Sequence, residues 1–113
     1  MRMRLSSDIW VAAFLRRCAS ENLPAYLRRR GAQGAGAIFV RIDRLDGTSA
    51  LFAPAPQSEV REDVARAVAR AHRDEWIENA DIEARITKEI AFDPDLWIVE
   101  VEDRAGRIPL DLA

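Results

Sequence analysis

The chain has 113 residues, of which 49% are hydrophobic and 32% are charged, a composition too apolar for a disordered segment. The formal net charge is −2, and no apolar run approaches the ~20 residues that span a bilayer. We therefore expect one soluble domain over residues 1–113, with no membrane contact. Because Cys18 is the only cysteine and no export signal is visible, the sequence favours the cytoplasm.

The charges are divided unevenly along the chain. Residues 1–44 carry nine arginines against three acids, whereas residues 45–113 carry eight basic residues against sixteen acids. The simplest interpretation is that the two halves neutralise each other within one fold. The alternative is an electropositive face for nucleic acid or an acidic partner, but a total charge near zero argues against a dedicated nucleic-acid binder.

The N-terminal part of the chain predicts two helices. In residues 6–22, apolar side chains recur at helical spacing at Val11, Phe14, Leu15 and Cys18. The following segment, NLPAYLRRRG at residues 22–31, predicts a second and shorter helix. Its proline is tolerated in a first helical turn, and its final glycine is well placed to end the helix.

A change of period then predicts a β-hairpin. The segment AIFVRIDRL alternates between two sets of side chains, as a strand does. The dipeptide Asp46-Gly47 is typical of a two-residue turn, since both residue types tolerate positive φ. That turn would set Ile42 opposite Leu51 and Arg41 opposite Phe52.

The remaining chain predicts two more helices and two more strands. Residues 58–74 and 80–91 have apolar residues at helical spacing, DEWIEN predicts a short strand, and LWIVEVE predicts a longer one. The predicted fold class is therefore α+β. We expect a mostly antiparallel sheet of three or four strands, with a hairpin at Asp46-Gly47 and the helices packed on one face.

Three consecutive arginines, Arg28, Arg29 and Arg30, precede the glycine-rich segment GAQGAGA. A phosphate-binding loop needs a strand before its glycines and a helix N-terminus after them, and the predicted order here is the reverse. We therefore reject a phosphate loop. The three arginine side chains stay candidates for contact with an anion or a partner.

Acidic side chains near the C-terminus give the other candidate site. Glu100 and Glu102 would point to the same side of a strand, and with Asp95 they could hold a magnesium ion. The alternative is that they form the solvated side of a half-buried strand. Since the chain has one histidine and one cysteine, it lacks the ligands of a zinc site and the usual nucleophile and base pairs. The sequence leans against an enzyme and predicts no cofactor.

Three blocks, SDIWVAAFLRR, GAIFVRIDRLDG and FDPDLWIVEVEDRAGR, resemble an alphaproteobacterial family of similar length. That family is known as domain-of-unknown-function family number fourteen ninety-one. The resemblance covers nearly the whole chain and is weakest from residue 55 to 80. It implies a bacterial, cytoplasmic domain, and it implies no activity, cofactor or site residue.

Three functional hypotheses follow from the residues. The favoured one is a small binding or interaction domain without a catalytic site, which binds a protein partner or self-associates. The second is a metal-dependent hydrolase or nuclease that uses Asp95, Glu100 and Glu102. The third is a nucleic-acid-linked regulator that uses the arginines of the N-terminal half, namely Arg28, Arg29, Arg30 and Arg41.

Overall fold

The structure is a computed structural model, and it describes residues 6–56 and 66–112. Within these residues it contains two helices and six strands. Their bounds, in chain order, are α1 Ser7–Ser20, β1 Ala25–Arg29, β2 Ile38–Asp43, β3 Thr48–Pro54, β4 Val68–Arg70, β5 Ile77–Glu78, α2 Asn79–Phe92 and β6 Trp97–Glu102. The predicted α+β class is confirmed.

All six strands belong to one sheet, in which the strand order is β1-β6-β2-β3-β4 and β5 pairs with β3. The pairing of β2 with β6 is parallel, and every other pairing among the described strands is antiparallel. The sheet is therefore mostly antiparallel, as predicted. It has more strands than the expected three or four, because β1 and β4 form where the sequence predicts helices.

The two helices pack against opposite faces of the sheet, so the prediction of helices on one face is wrong. The face covered by α1, called the α1 face, holds a cluster that includes Phe14, Cys18, Val40, Ile42 and Val99. The face covered by α2, called the α2 face, holds a second cluster with Phe39, Leu51, Ile82, Ile86, Leu96 and Ile98. Successive side chains of a strand point to opposite faces, and in β2, β3 and β6 both sets are largely apolar. Both faces therefore need another element packed against them to bury these apolar side chains.

Strand β1 replaces the helix predicted for residues 22–31. Helix α1 ends as Asn22 adopts a left-handed φ of 59°, and the chain then extends. The carbonyl of Pro24 accepts a hydrogen bond of 2.9 Å from the amide of Glu102, and β1 continues antiparallel to β6. Each paired residue of β1 meets a residue of β6 that lies about seventy positions further along the chain. Pairing over that distance outweighs the local preference that favoured a helix.

The predicted hairpin forms, but its register differs by one residue from the prediction. Ile42 pairs with Ala50 rather than with Leu51, and Arg41 pairs with Leu51. The reason is a longer turn, since Leu45 joins it with a left-handed φ of 62°. The carboxylate of Asp43 stabilises this turn by accepting a hydrogen bond of 2.8 Å from the amide of Leu45.

The helix predicted for residues 58–74 falls in part on residues 57–65, which lie outside the described part of the chain. Its remaining part is not helical: β4 pairs with β3, and Val68 also forms a bridge with Leu112. The short strand predicted from DEWIEN is β5, the helix predicted for residues 80–91 is α2, and LWIVEVE forms β6, so these predictions are confirmed.

Candidate functional site

Four charged side chains form a closed ion-pair network on the α2 face. Arg28 binds Glu83 through two contacts, with Nη1 2.8 Å from Oε2 and Nη2 2.7 Å from Oε1. Nη1 of Arg41 lies 2.7 Å from Oε2 of Glu83. Each arginine also contacts a different carboxylate oxygen of Glu100 at 3.1 Å. Both carboxylates are therefore shared by both guanidinium groups.

Three strands and one helix bring these side chains together. The parallel register of β2 and β6 sets Arg41 beside Glu100. Arg28 comes from the neighbouring strand β1, at a register shift between Leu27 and Arg29 that is typical of a β-bulge. Glu83 follows a buried isoleucine of α2, so the packing of that helix directs it towards the sheet.

The inner half of the network is buried. Arg41 is 7% exposed and Glu100 is 6% exposed, whereas the side chain of Glu83 is 46% exposed. Nε of Arg41 donates to the Ser49 hydroxyl at 3.2 Å, and that hydroxyl donates to the Asn79 side-chain oxygen at 2.6 Å. Buried charges are costly unless they are paired and hydrogen-bonded, and this arrangement supplies both conditions.

The electrostatics keep the outer acid of the network ionised. The hydrogen bond from Arg28 is the largest cause that lowers the pKa of Glu83 below its ordinary value, and the charges of Arg28 and Arg41 act in the same direction. An acid with a lowered pKa is a poor proton donor or acceptor near neutral pH. The network therefore has the properties of a structural clamp between α2 and the sheet.

The structure does not bring the three candidate acids together. Asp95 lies in the turn before β6, and its separation from Glu100 by five residues corresponds to roughly 16 Å along an extended chain. Glu102 lies at the far end of β6 and is half-buried. Among residues 6–56 and 66–112, no group of three or more His, Cys, Asp or Glu side chains is placed to hold a metal ion.

The three consecutive arginines also diverge. Arg28 belongs to the network, and Nη2 of Arg29 donates to the Pro94 carbonyl at 2.7 Å. The guanidinium of Arg30 lies over the Trp97 ring, 5.2 Å from its centroid. Each side chain is directed to a different part of its own protein, so they do not form one anion-binding cluster.

The glycine-rich segment after β1 serves close packing. A Cβ at Gly31 or Gly36 would collide with the carbonyl oxygen of Asp95 and with the Trp97 ring. The Trp97 Nε1 donates to the Ala32 carbonyl at 2.9 Å. The segment thus holds the turn before β6 against the end of β1, and it presents no helix N-terminus to a phosphate.

Sequence reasoning missed Glu83, which closes the network, and the supporting pair Ser49 and Asn79. One signal could have pointed to them. Arg41 has apolar residues on either side of it in the sequence of β2, so it is expected to be buried with the strand. A buried arginine requires an acidic partner. The sequence does not reveal which acid meets it, because that choice depends on the docking of α2.

His72 is the only histidine of the chain, and both of its ring nitrogens are engaged. The Leu51 amide donates to Nε2 at 3.0 Å, and Nδ1 donates to the Asp74 carbonyl at 2.6 Å. The ring thus occupies a gap along β3, since β4 pairs with residues 52–54 and β5 with residues 48–49. Burial lowers the pKa of His72, which favours the neutral ring that accepts the amide.

A groove of about 520 Å³ lies beside this histidine, between residues 72–77 and the outer side of α2. Its lining includes Asp74, Asp81, Arg85 and Lys88, and Arg85 donates to the Ala71 carbonyl at 3.1 Å. The groove thus carries charges of both signs.

The two outer edges of the sheet differ. Along β4, Val68 is covered by the C-terminal segment, because its amide donates to the Asp111 carbonyl at 2.9 Å and it bridges Leu112. Along β1, successive residues direct their backbone groups alternately towards β6 and away from it. Because the Pro24 carbonyl is bonded to the Glu102 amide, the N–H and C=O groups of Ala25 and Leu27 point away from β6. No described residue pairs with these outward groups.

Tyr26 lies between Ala25 and Leu27 on β1. It is 48% exposed and is the only tyrosine of the chain. Its side chain stands on the α2 face, directly across from Glu100 on β6. An unpaired strand edge with an exposed aromatic residue is a surface on which another strand can be added. We call the outward groups of Ala25 and Leu27 together with Tyr26 the β1 edge.

Neither of the two helices in the described part of the chain is long and apolar enough to cross a membrane.

Comparison with known proteins assigns the chain to a family. The crystal structure of a DUF1491 family protein from Caulobacter crescentus has 35% identity and a TM-score of 0.78, and the match covers 98% of this chain and 99% of that one. The solution structure of an A. tumefaciens protein has 38% identity and a TM-score of 0.80, with 98% and 96% of the two chains covered. An NMR structure of a Caulobacter crescentus family member, with 36% identity, gives a TM-score of 0.77.

Among curated proteins, no significant match to the chain is found. The family model described as "Protein of unknown function (DUF1491)" matches residues 5–111, which is nearly the whole chain. Together with the similar structures from two alphaproteobacteria, this match confirms the resemblance that the three sequence blocks predict. The chain belongs to the DUF1491 family.

Proposed function

We propose that residues 1–113 form one non-enzymatic interaction domain, which binds an extended protein segment along the β1 edge. The bound segment would add a strand to the sheet beside β1, with main-chain hydrogen bonds as its principal contacts. The proposed location is the cytoplasm, supported by the single cysteine of the chain and by the burial of that cysteine at Cys18.

The observation that carries this proposal is the unequal treatment of the two sheet edges. The C-terminal segment pairs with Val68 of β4, whereas no described residue pairs with the outward groups of Ala25 and Leu27. Native proteins generally protect such edges, because unpaired N–H and C=O groups are a template for another strand. An edge left open, opposite an edge that the C-terminal segment partly covers, therefore supports a binding role.

The arginines of β1 and its vicinity give further support. Charged side chains on an edge strand usually repel an approaching strand. Here Arg28 is paired with Glu83 and Glu100, Arg29 binds the Pro94 carbonyl, and Arg30 stacks on a tryptophan ring. Their charges are thus drawn towards their own protein and oppose the approach of a partner strand less than the sequence suggests.

The two alternative functions have less support. A hydrolase would need free carboxylates, and Glu100 is shared by two guanidinium groups, far from Asp95. A nucleic-acid regulator would need arginines free to bind phosphates, and Arg28 and Arg41 are already paired with acids. Both alternatives would require the network to open.

The substitution Leu27→Pro tests the proposal. It removes an N–H that points outward and that the pairing with β6 does not use, so β1 should stay in the sheet while the edge loses a donor. A photoreactive phenylalanine analogue at position 26 would report what lies beside the edge in living cells. We expect cross-linked adducts in the otherwise unaltered chain and their loss in the Leu27→Pro background.

A matched control carries the same photoreactive group at Lys88, an exposed position on α2 away from β1. Adducts from position 88 should be unaffected by Leu27→Pro. Thermal unfolding of the Leu27→Pro variant must show that the fold is retained. Adducts at position 26 that persist at full yield in a folded Leu27→Pro variant would contradict binding at the β1 edge.

A further inference from the structure

We infer that the strand which adds to the β1 edge is β1 of a second copy of this chain, antiparallel to the first, with the two-fold axis at Tyr26. This inference rests on the proposed function and names its partner. It follows from the positions of the outward groups, from the nature of the side chains between them, and from the placement of the charges.

Within the regular part of β1, the outward hydrogen-bonding groups are those of Ala25 and Leu27, one residue on each side of Tyr26. The alternation set by Pro24 and Glu102 directs them outward, and the register shift after Leu27 ends the regular pattern. In an antiparallel pair centred on Tyr26, Ala25 of each copy faces Leu27 of the other. Every outward N–H and C=O of these residues then finds a partner.

Other registers satisfy fewer groups. A pair centred on Leu27 or on Ala25 would join only that residue to its own copy, and it would leave the other residue without a regular partner beyond the shifted ladder. Unpaired backbone groups that become buried are costly. The β1 edge is therefore complementary to itself in one register.

The side chains in this register are also complementary. The two Tyr26 side chains would face each other at a non-hydrogen-bonded position, where the Cα atoms of antiparallel partners lie about 4.5 Å apart. Aromatic pairs at such positions stabilise sheets. This arrangement would cover a tyrosine that is 48% exposed in the single chain.

On the opposite face, the pairing extends the apolar cluster under α1. Ala25 and Leu27 are partly buried and pack against that cluster. Because each would lie across from the other in the second copy, the two clusters would meet at the two-fold axis. One side of the contact would therefore be apolar and the other aromatic.

The charges do not oppose this arrangement. Arg28 would lie across from Pro24 of the second copy, and the two Arg28 residues would be offset by about 13 Å along the strands. Arg28 is also neutralised within its own chain by Glu83 and Glu100. No like charges stand directly opposite each other, which is the arrangement that destabilises strand pairs.

A two-fold dimer is also the commonest way in which a self-complementary surface is used. The contact consists of one short strand from each copy, so its area is below that of a standard interface. We therefore expect a weak, rapidly exchanging dimer, which is seen at high protein concentration.

The single tyrosine makes this arrangement directly testable with the unaltered chain. Photo-oxidation with a ruthenium complex and persulfate joins tyrosines that are in contact, and any dityrosine formed here can only come from Tyr26 of two copies. We expect dityrosine fluorescence together with a doubling of the mass in sedimentation experiments at high concentration. Leu27→Pro should reduce the dityrosine yield at least ten-fold.

Two further variants keep the test valid if Leu27→Pro fails to fold. Tyr26→Arg would place like charges across the axis while facing Glu100 within its own chain, so the variant should fold and sediment as a monomer. Tyr26→Cys should form an intermolecular disulfide under mild oxidation, whereas Arg30→Cys should not, because two residues at position 30 would lie about 26 Å apart. The native Cys18 is fully buried and should not interfere.

The outcomes separate this inference from the proposed function. A monomer at millimolar concentration, combined with cellular cross-links from position 26 to a different protein that Leu27→Pro abolishes, would overturn the two-fold pairing and leave the proposed function standing. A monomer without any such cross-links would overturn both. Dityrosine yields that Leu27→Pro and dilution leave unchanged would indicate random collision and would likewise refute the pairing.

Discussion

The two faces of the sheet are stabilised by different interactions, although the same strands supply both. On the α1 face the buried cluster is almost wholly apolar, with Val40, Ile42 and Val99 fully buried. On the α2 face the apolar cluster is smaller, and the ion-pair network continues it towards β1. Within β2, the neighbours Arg41 and Ile42 therefore belong to different kinds of environment.

The difference matters because the two kinds of contact fail in different ways. Apolar packing is non-directional, and its loss scales with the area and cavity that are created. A buried ion pair adds little over a well-packed apolar pair, but the removal of one partner leaves the other charge stranded. The α2 face thus depends on the presence of all its charges, and one of them, Arg28, belongs to the open-edged strand β1.

The largest effect should come from Arg41→Leu. This substitution removes the buried cationic partner of Glu100 and leaves it only Arg28, which is more exposed, and breaking a buried pair costs about 3 to 5 kcal/mol of unfolding free energy. Urea denaturation followed by tryptophan fluorescence at neutral pH would measure the loss.

The double variant Arg41→Leu with Glu100→Leu is the control for that prediction. It removes both buried charges, so it should be clearly more stable than Arg41→Leu alone, because no buried charge is left without its partner. If the double variant is as unstable as the sum of the two single variants, the charges are not coupled and the network does not act as a clamp.

A slightly smaller loss is expected for Ile42→Ala, at the adjacent residue that faces α1. Ile42 is fully buried, and truncation of a buried isoleucine costs about 2 to 5 kcal/mol. Because no titratable group is removed, the loss should be the same at acidic and neutral pH. Ile86→Ala, which empties a comparable site on the α2 face, should cost a similar amount. A loss at Ile42 that varies with pH would contradict the contrast between the faces.

The smallest effect concerns His72, whose ring accepts the Leu51 amide beside the α2 face. Burial is the main cause that lowers its pKa below the ordinary 6.5, the charges of Arg85 and Arg70 act in the same direction, and Asp74 opposes them. A lowered pKa means that the unfolded chain binds the proton more tightly. The contribution of His72 to the free energy of unfolding is therefore fully present above pH 6.5, and it is lost as the pH falls through the lowered pKa.

We expect this loss to be about 1 kcal/mol, the net value of one hydrogen bond. Urea denaturation above and below pH 6.5 would measure it, and His72 is the only histidine that could contribute. His72→Phe should be less stable above that pH and should lose the pH dependence between neutral pH and the carboxylate range. A dependence that survives in His72→Phe would assign it to another group.

Local patterns in the sequence determined α1, α2, β2, β3 and β6. Their apolar residues recur at the helical or the strand period, and both periods follow from the backbone geometry of a single element. The α+β class and the hairpin between β2 and β3 follow from these elements. The one-residue error in the hairpin register shows the limit, since Leu45 entered the turn in a conformation that its side chain does not favour.

Only the tertiary structure decided the identity of β1, the placement of the helices on two faces and the composition of the network. Residues 25–29 form a strand because β6 lies beside them, and Glu83 meets Arg41 because α2 docks on Phe39 and Leu51. These contacts join residues that are distant along the chain, and no local period records them. The sequence alone therefore determined which segments would be regular, and long-range packing decided that β1 would stand at an open edge of the sheet.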